Sequence, residues 1–179
     1  MTQEWLSDVH EMQMLKLLWI AICRQMAIIK IEIEGPYFYG YLKSVFKAGE
    51  LKYKNLVLFS HVCSLGEALQ SGQHTSIGFI MNVNSNHWVS TVVDFIGCHI
   101  LYGNSLGQAP ENEPISIIQW WAQYHTGTQF TVTKLPIPLQ QDSFSCGILV
   151  FGTLIHFSLP SQYPLMNVQL VDEERMKVF

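Results

Sequence analysis

The stretch from residue 77 to 102 leaves this chain few ways to fold. Residues 77–83, 87–95 and 98–102 are apolar, β-branched runs of strand length, and Gly97 stands where the last two need a tight turn. They predict one strand followed by an antiparallel hairpin. With the turn centred near Phe95–Gly97, residues whose numbers sum to about 191–193 lie opposite each other, and cross-strand or diagonal neighbours sit within ~8 Å. His87 and Asn104 therefore belong together at the open end, where an Asn carboxamide can hydrogen-bond and orient an imidazole.

Other segments read as helices and strands packed around that hairpin. Asp8 and Glu11 resemble a capping box, and Leu15, Leu18, Trp19, Ile22 and Met26 recur at helical spacing, so a helix is expected over 9–26 with its stripe in the core. Gly35-Pro36 breaks the chain, the aromatic run Tyr37-Phe38-Tyr39 follows, and residues 56–59 read as a short buried strand. Further on come a helix over 114–125 and a strand over 129–134. Pro136 and Pro138 then force an extended loop, and an apolar helix covers 146–157. No repeat, linker or low-complexity tract interrupts the 179 residues, which predicts one α+β domain over 1–179.

Composition removes several functional classes. Hydrophobic residues make up 49% and charged residues 13%, against a usual ~25%, so a core is assured and disorder excluded. Ten basic against 14 acidic residues, with no basic cluster, argue against a nucleic-acid partner. Lys16, Arg24, Gln25, Lys30 and Glu32 interrupt the apolar stretch 15–33, so no membrane span is expected. Glu4, Asp8 and Glu11 replace a basic leader region. The expectation is a soluble intracellular monomer, in nucleus or cytoplasm. Neither the four cysteines nor the seven histidines show metal-ligand spacing, so no metal or cofactor is expected.

Among the cysteines, Cys146 has a special setting. It follows the polar loop 140–145 and opens an apolar helix, whose positive amino-terminal end would lower the thiol pKa and favour a thiolate. Gly147 would leave room for close approach of substrate. Cys23, Cys63 and Cys98 lie in ordinary core or surface settings. Gln140, six residues earlier, offers a side-chain amide to an oxyanion. Together Cys146, His87, Asn104 and Gln140 supply nucleophile, base, orienter and oxyanion donor, the layout of a Cys-His-Asn protease. Two decoys compete. Residues 103–107 fit the G-x-S-x-G nucleophile elbow around Ser105, yet Pro110 and Pro114 stand where its helix should run. Asp94 could orient His87, but seven residues of strand put it roughly 23 Å away, so it reads as a turn residue.

These blocks carry a family resemblance. His87-Trp88 opening a strand that ends in Asp94, the run Leu101-Tyr102-Gly103-Asn104-Ser105-Leu106-Gly107, and Gln140 followed after five residues by Cys146-Gly147 resemble the ubiquitin-like-protease family, the SUMO-specific cysteine proteases of the adenovirus-protease-like clan. Trp5-Leu6-Ser7-Asp8 resembles the family's opening motif, and the likeness runs from Trp5 to about Glu174. The resemblance implies a papain-like α+β fold, with a helical part carrying Cys146 packed on an antiparallel sheet carrying His87 and Asn104. It implies cleavage, by a cysteine-type isopeptidase or endopeptidase, after the carboxy-terminal diglycine of a SUMO-like or other ubiquitin-like modifier. His87 would be the base, Cys146 the nucleophile, Gln140 the oxyanion donor, and Trp88 and Trp5 the walls of a tunnel for the diglycine. The family usually has Asp where this chain has Asn104. That departure admits an alternative, a catalytically impaired module that binds the modifier.

Overall fold

In the computed structural model, residues 6–25 and 30–171 are described. Trp5 and Met26, singled out above, lie outside them. The elements run α1 (Asp8–Cys23), β1 (Ile31–Glu34), α2 (Phe38–Ala48), α3 (Glu50–Asn55), α4 (Ser60–Gln70), β2 (Ser76–Val83), β3 (His87–Asp94), β4 (His99–Gly103), α5 (Asn112–Thr126), β5 (Thr131–Lys134) and α6 (Cys146–Ser158). The five strands form one sheet in the order β1-β2-β3-β4-β5.

The hairpin has the register counted from the sequence: Val93 faces Ile100 and Ser90 faces Gly103. Asp94 is a turn residue, its Oδ1 accepting the N–H groups of Ile96 and Gly97 at 3.0 and 3.1 Å. Gly97 is needed because a Cβ there would come within 2.6 Å of the Asp94 carboxylate. The positive φ of the turn falls instead on Cys98, at 53°.

Alternation along β2 and β3 builds two cores. Phe79, Met81, Val89 and Val93 face α2, α4 and α5, where Phe38, Leu42, Leu69, Ile118 and Trp121 are buried. Ile80, Trp88 and Val92 face α1 and α6, packing with Leu15, Leu18, Ile22, Cys146, Val150 and Leu154. Because α6 lies between the sheet and α1, it is apolar on nearly every side, as a helix covered all round must be. Each Leu or Ile so buried contributes ~1.5–3 kcal/mol, which holds the helix that opens with Cys146 rigidly against β3. Tyr53 ties the opposite layer together: its hydroxyl accepts from Trp121 Nε1 (3.0 Å), donates to the Val62 carbonyl (3.1 Å) and meets His125 Nε2 at 2.8 Å. Burial pushes His125 down to about 4, so the network is neutral at physiological pH.

Four expectations need correction. The sheet is mixed: β2, β3 and β4 are antiparallel, but β1 joins β2 and β5 joins β4 in parallel. Residues 56–59 are no buried strand; Val57–Phe59 form a 3-10 turn with Val57 87% and Leu58 76% exposed, and only Phe59 reaches the core. The cap of α1 sits one residue earlier than Asp8, at Ser7, whose backbone N–H donates to His10 Nδ1 at 3.2 Å. Trp19 is 44% exposed, outside the stripe formed by Leu15, Leu18 and Ile22. No helix among the described residues is long and apolar enough to cross a membrane.

Candidate active site

Four segments converge where the open end of the hairpin meets the start of α6. His87 begins β3, Asn104 follows the last residue of β4, and Nε2 of His87 lies 2.9 Å from Oδ1 of Asn104. Oδ1 also accepts the backbone N–H of Leu106 at 2.9 Å, which identifies it as the amide oxygen. Nε2 must then carry the proton, leaving Nδ1 with the lone pair that can take a proton from a thiol. The backbone N–H groups of Trp88, Gly147 and Cys146 itself lie close enough to the Cys146 sulfur to favour its thiolate, so the thiol sits beside the residue that follows His87.

The electrostatics differ from the sequence expectation. Burial pushes the Cys146 thiol up, and the three backbone donors offset this only in part. The side chain is 1% exposed, so loss of water outweighs the field of the helix terminus. His87 is shifted down by burial, with the Asn104 bond opposing. Both the thiol and the imidazole are therefore neutral near neutral pH. Gly147 also serves differently: the space of its missing Cβ is filled by Glu11 and Leu6 of the amino-terminal segment, not by substrate.

Gln140 is held on both sides. Its Oε1 accepts from the Ser105 hydroxyl at 2.8 Å and its Nε2 donates to the Asp142 carbonyl at 2.7 Å, leaving the second N–H of the amide for an oxyanion. Ser105 is fully buried, its carbonyl receives the Gln140 N–H at 2.9 Å, and a turn closed by Gly107 follows it instead of a helix. That arrangement removes the nucleophile-elbow reading and makes Ser105 a clamp. Asp142 organises the rest of the loop, its Oδ1 accepting from the N–H groups of Phe144 and Ser145 at 2.8 and 2.7 Å. Sequence reading missed it, although an Asp three residues before a helix-opening Ser-Cys is an Asx-turn signal. Trp88 is 2% exposed in the α1–α6 core, with Nε1 donating to the Leu6 carbonyl at 3.1 Å. One edge of it also lines a 450 Å³ cleft shared with Asp8, Tyr37, Tyr39 and Asn82. Among the described residues no cluster of three or more metal-ligating side chains occurs.

Glu11 is the feature nothing in the sequence announced. Expected at a solvent-facing cap, it is 0% exposed, and neither carboxylate oxygen has a hydrogen-bond partner among the described residues. Burial, helped by Asp8, pushes it up to about 8. A carboxyl raised on folding favours the folded state below its unfolded pKa of about 4.3, and that advantage is lost as pH rises towards about 8. Glu11→Met is thus expected to add about 2–3 kcal/mol of stability at pH 7 and much less at pH 4, read from denaturant unfolding at both values.

Asn104 gives a second test. A carboxylate in its place would keep the His87 N–H and the Leu106 N–H as donors. Asn104→Asp should raise the His87 pKa, enlarge the thiolate–imidazolium population and increase turnover roughly ten-fold, while Asn104→Ala reduces it. The two limbs of the kcat/KM pH profile should move apart in the Asp variant. Equal activity in parent, Asp and Ala variants would mean that the carboxamide does not serve the imidazole.

Comparison with known proteins gives the family and the fold. Residues 73–179 match the model of the Ulp1 protease family, C-terminal catalytic domain. No curated protein matches the sequence. Among solved structures, the SUMO protease Ulp1 with its catalytic cysteine oxidised to a sulfenic acid superposes with a TM-score of 0.73 at 18% identity, covering 99% of this chain and 76% of that one. The C-terminal Ulp1 protease domain in complex with Smt3, the yeast ortholog of SUMO, gives 0.71 at 19% identity, covering 99% and 76%. The Xanthomonas campestris effector XopD bound to ubiquitin gives 0.56 at 16% identity, covering 97% and 91%. With its family model matched over well more than half its length and its α+β architecture shared with these proteases, the chain belongs to the Ulp1 protease family as a cysteine protease domain.

Proposed function

We propose that this domain hydrolyses the bond after the carboxy-terminal diglycine of a SUMO-like or other ubiquitin-like modifier, as an isopeptidase or precursor-processing endopeptidase. The observation that carries the reading is the burial of the nucleophile: Cys146 is 1% exposed beside the backbone of Trp88, so the carbonyl that meets the sulfur is best carried on a slim chain without side chains, which two glycines supply. The cleft of Asp8, Tyr37, Tyr39, Asn82 and Trp88 offers apolar walls and acceptors to such a tail. Solved relatives holding Smt3 or ubiquitin support a modifier as partner.

In this mechanism Nδ1 of His87 takes the thiol proton as Sγ attacks the glycine carbonyl. Gln140 Nε2 and the Cys146 backbone N–H hold the oxyanion, and the imidazolium protonates the departing amine. Water activated by His87 then releases the glycine carboxylate and restores the thiol. No cofactor enters. The proposal places the domain inside the cell, in nucleus or cytoplasm, acting as a monomer without nucleic-acid or membrane partners.

The neutral Asn104 and the neutral thiol and imidazole favour a second reading, an impaired module that binds the modifier without cleaving it. One experiment separates them: a panel of modifier precursors, and the same modifiers ending in a carbon electrophile, are incubated with the protein. Tail removal and covalent labelling at Cys146 are expected; binding without either would establish the module instead, and no binding at all would remove both.

A further inference from the structure

We propose that Glu11 is a positioning residue for the nucleophile: from the buried side of α6, its carboxyl group, by holding or losing its own proton, sets the pH at which Cys146 becomes a thiolate. The geometry comes first. Glu11 is fully buried on α1, both its oxygens lack partners among the described residues, and Oε1 lies where a Cβ on Gly147 would stand. Gly147 is the second residue of α6, so the carboxyl presses on the first turn of a 13-residue helix, next to the residue that carries the sulfur. That turn has backbone N–H groups without helical acceptors and the positive end of the helix field.

A carboxylate and a thiolate placed against the same turn compete for the same field and repel each other. The charge of Glu11 acts on Cys146 in this sense, raising it. Among the described residues, the groups facing the carboxyl are Asp8 from its own helix, which disfavours its ionisation further, and Cys146 from α6. Leu6, Met14, Ile148 and Leu149 of the adjoining cluster are apolar and supply no compensating cation. Burial holds Glu11 protonated up to about 8, so near neutrality it leaves the thiol alone and at higher pH it opposes a second negative charge beside it. The two groups titrate as a coupled pair, which broadens the transition and displaces it upward.

The inference rests on Cys146 being the nucleophile for its consequence, and its test does not. The thiolate absorbance of Cys146 is followed against pH as the difference between each protein and its Cys146→Ser counterpart, for the parent, Glu11→Gln and Glu11→Met. Both replacements are neutral and near in volume, and either suffices should the other fail to fold. The midpoint is expected to fall by about half a pH unit or more in both, giving roughly three-fold more thiolate in the transition region, over a narrower pH range. Midpoints that coincide in all three proteins would overturn the proposal, even if the variants were more stable, because a merely structural acid would change stability and leave the thiol's titration unchanged. Labelling of Cys146 by the modifier electrophile in the parent would leave the catalytic reading standing in that event.

Discussion

Cys146→Ser is expected to lower cleavage by ~10⁴ or more while modifier binding survives. The loss should be this large because a hydroxyl has no accessible anion near neutrality, and the resting His87 is a neutral imidazole with a downward-shifted pKa, a weak base for so poor an acid. Folding should be nearly untouched. The serine side chain nearly keeps the shape of the site, and its oxygen meets the same Trp88 and Gly147 backbone N–H groups that favour the thiolate. Cys23, Cys63 and Cys98, all partly exposed and away from the α6 terminus, should tolerate serine without comparable loss. Retained cleavage in Cys146→Ser, or its loss only on replacing Cys63 or Cys98, would move the nucleophile elsewhere. The measurement is turnover of a modifier precursor beside binding of the mature modifier.

What the sequence could reveal followed the reach of its local patterns. The His87–Asn104 contact needed only counting across one turn, because an antiparallel register is fixed once the turn and the alternation are known. Helix α6 was legible as an unbroken apolar run behind a polar loop. The layer from α2 to α4 was not, although Phe38, Leu42 and Val45 stand at helical spacing. Gly40, Gly49 and the exposed Leu51, Val57 and Leu58 blur the period there, and residues 56–59 have strand composition while serving as the approach to α4. The parallel edge strands β1 and β5 depend on partners far along the chain, which no alternation reports. Glu11 was hidden for a different reason: an acid near a helix start is expected in water, and only the packing of α1 on Gly147 buries it. The depressed thiol pKa inferred for a helix-opening cysteine failed on the same ground, since burial is a tertiary property.

Gln140→Ala should lower turnover by about 10²–10³ with little change in binding, the usual cost of removing one oxyanion donor. The structure adds a condition that the sequence could not supply. An amide rotates freely about its last bond, and a flipped Gln140 would aim an acceptor at the developing negative charge. Two bonds prevent this: the Ser105 hydroxyl donates to Oε1 at 2.8 Å, and Nε2 is drawn to the Asp142 carbonyl at 2.7 Å. Ser105, 35 residues away in sequence and fully buried, follows directly on Asn104, so the loop that holds the His87 imidazole also holds the Gln140 amide. Ser105→Ala should therefore cost about ten-fold in kcat with KM nearly unchanged, less than Gln140→Ala because the Asp142 bond remains. Since Ser105 acts through Gln140, its removal in a Gln140→Ala background should cost almost nothing more, a non-additivity that a double-mutant cycle measures directly. Gln141 is exposed and outside this arrangement, so Gln141→Ala should be near neutral. A larger loss at Gln141 than at Gln140 would mean the loop carries the opposite register. Additive losses at Ser105 and Gln140 would mean that Ser105 supports the fold of the Asn104 loop instead of the amide, and the link between base and oxyanion hole would have to be given up.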